Sequence, residues 1–312
     1  MIRADEDPAV IDVRGLTKRF GDKTVVDGLD LRVPRGAIYG FLGPNGSGKT
    51  TSIRMVCGLL RPDAGSGQCL GYDVLRQSDR IKARTGYMTQ RFSLYEDLSV
   101  RENLEFIARL YRVPRLRQTV TEALESIGLE GRQHQLAGRL SGGWKQRLAL
   151  AACMIHTPDL LLLDEPTAGV DPKARRDFWE QIRAYARQGV TTLVSTHYMD
   201  EAVQCDRIAY IAYGRKLIDA PTADIPAMLG LSAFAVTAPD LDATEAVLRD
   251  DPAVALLARF GTALHVCGTD TEALDRVMAA IRQRPGVQAE PITPGLEEAF
   301  IHLMAQSADN FT

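Results

Sequence analysis

No apolar run in the 312-residue chain approaches the roughly 18 residues that a helix needs to cross a bilayer, so the chain is not expected to span a membrane by itself. Positive charge is not in excess either: 37 Lys and Arg stand against 40 Asp and Glu, a formal net charge of −3. Phosphate backbones are held by surplus basic side chains, so nucleic acid is not expected as a partner. The five cysteines (Cys57, Cys69, Cys153, Cys205, Cys267) are odd in number and scattered, with neither a C-x-x-C pair nor zinc spacing. That argues against a disulfide framework or a thiolate metal centre, and predicts buried, reduced thiols. Repeats and low-complexity tracts are missing. The opening "MIRADEDPAV" is acidic where a secretory signal is basic and then apolar, so a cytosolic location is expected unless a partner carries the chain to a membrane.

With 45% hydrophobic and 25% charged residues, the chain can bury one large core or two modest ones. Strand-like "AVIDVRGL", "LDLRV" and "AIYGFLG" precede an alternation of helical and strand patterns to about residue 213, which reads as α/β. Ser99 with Glu102 forms a capping box, and Asp171 before Pro172 is an N-cap followed by Pro at the first helical position; Gly128 and Gly189 are suitable stops. Beyond "GRKLIDAPTAD" the order becomes βαββαβ, the split-βαβ, ferredoxin-like arrangement. The expected domains are therefore 1–228 and a smaller α+β domain, 229–312.

"GPNGSGKT", Gly43 to Thr50, fits G-x-x-x-x-G-K-[ST] between an apolar strand and a helical segment. Gly43, Asn45, Gly46, Ser47, Gly48 and Thr51 complete a loop whose N–H groups can cradle phosphates at a helix N-terminus. Lys49 can reach the β- and γ-phosphates, and Thr50 can ligate Mg²⁺. In "LLLLDEP", Leu160 to Leu163 read as a strand buried on both faces that delivers Asp164 and Glu165 to its carboxyl end. Asp164 suits the Mg²⁺ shell, and Glu165 suits a base for water attacking a γ-phosphorus. A second anion-binding device, "LSGGWKQRLAL" from Leu140, offers the Ser141 hydroxyl, close approach at Gly142 and Gly143, and another helix N-terminus. Two such devices imply two ligands, or one ligand shared between molecules.

The ordered set "GPNGSGKTT", "YMTQ", "LSGGWKQRLALA", "LLLLDEPTAGVD" and "STHYMDEA" resembles the nucleotide-binding subunits of ATP-binding cassette (ABC) transporters. The resemblance implies a P-loop ATPase domain, a RecA-like core with a helical subdomain, that uses ATP and Mg²⁺. It implies that Gln90 lies near Mg²⁺ and the membrane subunit, that His197 contacts the γ-phosphate, that Asp171 belongs to the loop coupling two sites, and that Phe20 stacks on adenine. It also implies a head-to-tail dimer in which Ser141, Gly142 and Gly143 of one chain cap ATP on the P-loop of the other. Trp144 departs from the glutamine usual in the family.

One cassette, no coiled-coil insertion and the ending "PGLEEAFIHLM" resemble the ATPases of ABC-2 type drug and antibiotic exporters. The resemblance implies an integral membrane permease as partner, a second copy of this chain, and a position at the cytoplasmic face of the inner membrane. A soluble regulatory cassette is the alternative. Phe92, Leu94 and Tyr95 in "RFSLYEDLSV" are candidates for docking the permease or for filling this domain's own core.

Overall fold

The computed structural model describes residues 9–306, and the chain divides into two compact units, 1–219 and 220–312. The division falls inside a strand, whereas the change of sequence pattern near 228 coincides with the end of a helical turn just beyond it. The first unit runs β1 (Ala9–Phe20), β2 (Lys23–Pro34), β3 (Ile38–Leu42), α1 (Lys49–Val56), β4 (Ala64–Cys69), β5 (Tyr72–Asp73), α2 (Ser78–Lys82) and β6 (Thr85–Met88). Next come α3 (Val100–Leu110), α4 (Leu116–Ser126), α5 (Gly142–Met154), β7 (Leu160–Asp164), α6 (Pro172–Arg187), β8 (Thr191–Thr196), α7 (Met199–Ala202), β9 (Arg207–Ala212) and β10 (Arg215–Pro221).

The functional geometry follows from one sheet, ordered β10-β9-β3-β8-β7-β6. Strands β9, β3, β8, β7 and β6 are parallel. Four neighbours, β3, β8, β7 and β6, therefore end side by side on one edge. Every residue of β7 is buried, the four leucines completely, as a strand covered on both faces requires. A second sheet, β2-β1-β4-β5, shares one core with it, through Ile11 and Leu29 packed in the same cluster as Phe41 and Leu162.

Helices α3, α4 and α5 build a separate apolar layer around Leu104, Leu124 and Leu148. Ser99 and Glu102 form the reciprocal capping box at α3, while the Asp171 side chain accepts from the backbone of Lys173 and Ala174 at α6. Gly128 and Gly189 follow α4 and α6 with φ of 69° and 91°, the left-handed conformation that ends a helix.

In the second unit, α8 (Ile225–Met228) leads to β11 (Ser232–Thr237), α9 (Leu241–Leu248), β12 (Leu256–Phe260), β13 (Ala263–Gly268), α10 (Thr271–Ile281), β14 (Gln288–Ile292) and α11 (Leu296–Gln306). The antiparallel sheet is ordered β12-β13-β11-β14, the strand order of a split βαβ pair. Helices α9 and α10 cover Phe234, Val236 and Leu264. The other face, with Ala233, Leu256 and Cys267, packs with Ile301 of α11. Leu296, Ala299 and Phe300 of α11 are buried, and Glu298 accepts from Gly295 and pairs with His265 of β13 at 2.6 Å. None of the five cysteines is disulfide-bonded; burial pushes the thiols of Cys57 and Cys153 up to about 11 and about 12.

Because β7 is closed on both faces, truncation there leaves a void that neighbouring strands cannot fill. Leu162→Ala is expected to destabilise the protein by about 2–5 kcal/mol, read as a lower midpoint in urea unfolding; a midpoint within error of the parent would show that the strand can repack.

Candidate active site

Strand β3 is followed by the glycine loop because the chain there must run against other backbone. A Cβ on Gly43 would lie 1.9 Å from the carbonyl oxygen of Ile211, and one on Gly48, at φ 99°, would lie 2.7 Å from that of Val25. Gly46, at φ 80°, faces open space. Helix α1 starts at Lys49 without a capping side chain, leaving the N–H groups of its first turn available to an anion. Val25, Asn45, Gly46, Gly48, Lys49, Thr50, Thr51, Gln90 and Glu165 line the resulting groove.

The Lys49 side chain folds back on its own loop. Its Nζ donates to the carbonyls of Gly43 (2.8 Å) and Pro44 (3.0 Å) and lies 3.7 Å from Glu165 Oε1. Burial pushes this ammonium below its ordinary range, against the pull of Glu165 and Asp164. Ser47, buried beside it, has a hydroxyl without a hydrogen-bond partner, the kind of orphan that a phosphate oxygen would satisfy.

Asp164 and Glu165 stand at the end of β7. Asp164, 2% exposed, accepts from the Thr50 hydroxyl at 3.0 Å and from the Ser195 hydroxyl at 2.7 Å. Glu165 has φ 48°, a left-handed conformation uncommon for a side-chain-bearing residue. Its N–H holds that turn by donating to the carbonyl (3.1 Å) and hydroxyl (3.0 Å) of Ser195. The carboxylate accepts from Gln90 Nε2 at 2.9 Å and lies 3.5 Å from His197 Nδ1. Gln90 extends from the end of β6 and His197 from the end of β8, so the sheet order brings Lys49, Thr50, Gln90, Asp164, Glu165 and His197 together. Sequence reasoning missed Ser195, whose hydroxyl bridges both carboxylate residues; its only signal is its place next to Thr196 and His197 in "STH".

The donor set fits a hard cation. Thr50, Asp164 and the Gln90 carboxamide supply oxygens, and an ion such as Mg²⁺ takes one or two carboxylates together with substrate phosphates rather than a protein cage. Among the described residues no cluster of three or more His, Cys, Asp or Glu side chains forms such a cage.

Other expected residues lie apart. Phe20, at the end of β1, is 52% exposed with Lys18 Nζ 5.7 Å from its ring centroid, and is not among the residues lining the groove. Neither are Ser141, Gly142 and Gly143. Ser141 occupies the N-cap position of α5 with extended backbone, yet its side chain makes no capping bond. It is exposed, and its hydroxyl is not used as the Ser99 and Asp171 side chains are. Trp144 packs against the helical layer, with the guanidinium groups of Arg132 and Arg147 5.3 Å and 5.0 Å from its ring centroid.

Phe92 and Leu94 also pack on that layer. Tyr95 is 51% exposed, edge-on to Phe106 at 5.2 Å. An apolar groove opens beside them, lined in part by Tyr87, Phe92, Leu94, Ile107 and Tyr111. Asn103, fully buried, holds the segment in place by accepting from Tyr95 N and donating to the carbonyls of Tyr95 and Ser99.

Comparison with known proteins places this geometry among relatives. The family described as "ABC transporter" matches residues 26–168. The chain is 39% identical over 311 residues to the daunorubicin resistance ATP-binding protein DrrA3 of Streptomyces coeruleorubidus, covering 94% of this chain and 95% of that protein. It is 45% identical over 217 residues to the probable multidrug ABC transporter ATP-binding protein YbhF of Escherichia coli, with 69% of this chain matched but only 37% of that protein's length spanned. A dimeric ATP-binding cassette in a post-hydrolysis state with ADP and Pi superimposes with a TM-score of 0.62 at 25% identity, covering 68% of this chain and 98% of that one.

The two glycines after Ser141 differ in their surroundings. A Cβ on Gly143 would meet the Ala174 Cβ at 2.7 Å, whereas one on Gly142 meets nothing within 4 Å. Gly143→Ala is expected to cost about 1–3 kcal/mol, and Gly142→Ala to be neutral or slightly stabilising. Urea unfolding of the two variants checks this; equal midpoints would contradict the α5–α6 contact.

Proposed function

The chain belongs to the ATP-binding proteins of ABC transporters, and we propose that it is the ATP-hydrolysing subunit of an ABC-2 type exporter, working as a head-to-tail dimer on the cytoplasmic face of the membrane. The observation that carries this reading is the division of labour within one chain. The groove gathers the glycine loop, Lys49, Thr50, Gln90 and Glu165, with Asp164 and His197 bonded or close to its lining, while the Ser141–Gly143 turn lies outside it and Ser141 keeps an exposed hydroxyl with no capping bond.

In this reading ATP lies along the glycine loop, with N–H groups from Gly46 to Thr51 on its phosphates. Lys49 exchanges the carbonyls of Gly43 and Pro44 for the β- and γ-phosphates, a trade of neutral acceptors for charged ones. Thr50, Asp164 and Gln90 would hold Mg²⁺, which supplies charge neutralisation at the phosphoryl oxygens. Glu165 takes a proton from the attacking water, and its left-handed turn aims the carboxylate away from the strand. His197 contacts the γ-phosphate, Phe20 stacks on adenine, and Ser141, Gly142 and Gly143 of the second chain close the site. Phe20, 52% exposed, is free to meet a base.

The partner is an integral permease seated on the apolar groove beside Tyr95. No helix among the described residues is long and apolar enough to cross a membrane, and Tyr95, edge-on to Phe106 of α3, lies on the segment that leads from Gln90 to α3. A protein on that groove would sense nucleotide through Gln90.

Glu165→Gln is expected to retain ATP, lose most hydrolysis and accumulate an ATP-bound dimer. Mixing Lys49→Ala with Gly142→Asp, both in that background, tests sharing of the ligand. A mixed dimer then has one intact site, so trapped nucleotide returns at one per dimer. Gly142 is the right glycine, because Gly143→Asp would strike Ala174 of its own chain. Verified mixed dimers that trap no nucleotide, from folded parents, would sink the shared-site reading.

The permease contact is checked separately. Tyr95→Ser with Phe106→Ser is expected to abolish co-purification with the permease while basal ATPase stays within about twofold, since both groups are exposed and touch no reacting atom. Undiminished co-purification would move the docking surface elsewhere.

A further inference from the structure

Behind the reacting groups lies a buried carboxylate that none of these roles uses. Glu201, on α7 four residues after His197, is 1% exposed. Its Oε1 accepts the hydroxyl of Thr167 and lies 3.7 Å from Arg175 Nε. Its Oε2 has no hydrogen-bond partner, and neither has Arg175 Nε. The same guanidinium donates through Nη1 to Asp200 at 2.7 Å and lies 4.7 Å from the Tyr198 ring centroid. Asp200 is largely in solvent, with 61% of its side chain exposed.

A carboxylate withdrawn from water needs a paired cation with hydrogen bonds on its remaining lone pairs. Here the cation is close, but its hydrogen bond goes to the solvent-exposed neighbour. Arg175 thus holds Asp200 through Nη1 while its Nε faces Glu201 across 3.7 Å, and because a guanidinium has donors to spare, closing that gap would satisfy both orphaned atoms.

The Glu201–Arg175 pair sits between two functional segments. Thr167 lies on the loop that follows Glu165 and leads to Asp171, the N-cap of α6. Arg175 is in the first turn of α6, its N–H donating to the Asp171 carbonyl at 2.9 Å. One residue earlier, Ala174 is the group against which Gly143 packs. A continuous path thus runs from His197 through α7 to Thr167 and the start of α6, and from there to the Ser141–Gly143 turn.

We propose that Glu201 is a positioning residue: with Thr167 and Arg175 it latches the His197 loop to the start of α6, so that a terminal phosphate on this chain's glycine loop sets the orientation of the Ser141–Gly143 turn this chain offers to its partner. The proposal rests on the two-chain closure described above. It assigns the latch a coupling task, distinct from holding nucleotide.

The test uses the full-length Glu165→Gln chain as parent, adding Glu201→Gln, Thr167→Val, Thr167→Ser, or Thr167→Val with Glu201→Gln. ATP binding is measured by equilibrium dialysis at concentrations that keep the chain monomeric, and ATP-induced dimerisation by sedimentation. Glu201→Gln and Thr167→Val are each expected to bind ATP within about twofold of the parent and to weaken dimerisation about tenfold. Thr167→Ser, which keeps the hydroxyl, should dimerise like the parent, and the double variant should be no weaker than either single.

Unchanged dimerisation in both single variants, additive losses in the double, or ATP binding that falls in step with dimerisation would overturn the latch. So would equal impairment by Thr167→Ser and Thr167→Val, because the defect would then be one of packing; that comparison decides the matter even where Glu201→Gln fails to fold. A Glu165→Gln parent that stays monomeric in ATP fails earlier and overturns the closure reading together with the latch.

Discussion

The hydrogen bonds on Asp164 are the constraint from which the rest of the site follows. This carboxylate is withdrawn from water at the end of β7 and reached by hydroxyls from α1 (Thr50) and β8 (Ser195). A buried charge is tolerable only when its acceptors are filled and a cation is near. Two carboxylates, Asp164 and Glu165, face one ammonium, Lys49. That surplus of negative charge leaves Asp164 with oxygen lone pairs suited to a hard cation. The same bonds fix the spacing between the glycine loop, the end of β7 and the end of β8, so the sheet holds the reacting groups in register before any ligand arrives.

How much of this could be read from the residues depends on distance along the chain. The loop from Gly43 to Thr51 is legible because its function is local: a strand, a wrap of glycines and a helix N-terminus lie within one contiguous stretch. Leu160 to Asp164 is legible for the same reason, as a short apolar run can be buried on both faces only in the middle of a sheet. The βαββαβ order of the last third likewise predicts the antiparallel strand order found there. Ser195 was missed because its task is set by register: it pairs opposite Asp164 across two strands, and nothing near it in the sequence points to a carboxylate. Glu201 and Arg175 were missed for a similar reason, since a charged residue on an amphipathic helix reads as solvated until tertiary packing buries it.

Ser141 shows where pattern and structure part. A serine ahead of a helix reads as an N-cap, and its backbone takes that conformation, but the side chain does not make the bond that defines capping. Ser99 and Asp171 do cap their helices, so the difference is not a property of caps in this fold. The hydroxyl thus stands exposed at the N-terminus of a 13-residue helix, outside the groove of its own chain, as the shared-site reading proposed above requires.

Trp144 then becomes intelligible as a helical-layer residue. Ser141 and Gly142 are exposed and Gly143 lies against Ala174, whereas the next side chain turns onto the layer built by α3, α4 and α5, where the guanidinium groups of Arg132 and Arg147 lie near its ring. Two nearby cations favour an electron-rich ring over an amide there, by the attraction of guanidinium to an aromatic face. Arg147 also pairs with Asp177 of α6 at 2.5 Å. The tryptophan is thereby tied, through one arginine, to the helix whose first turn packs against Gly143. The tryptophan thus bears on how α5 sits relative to α6.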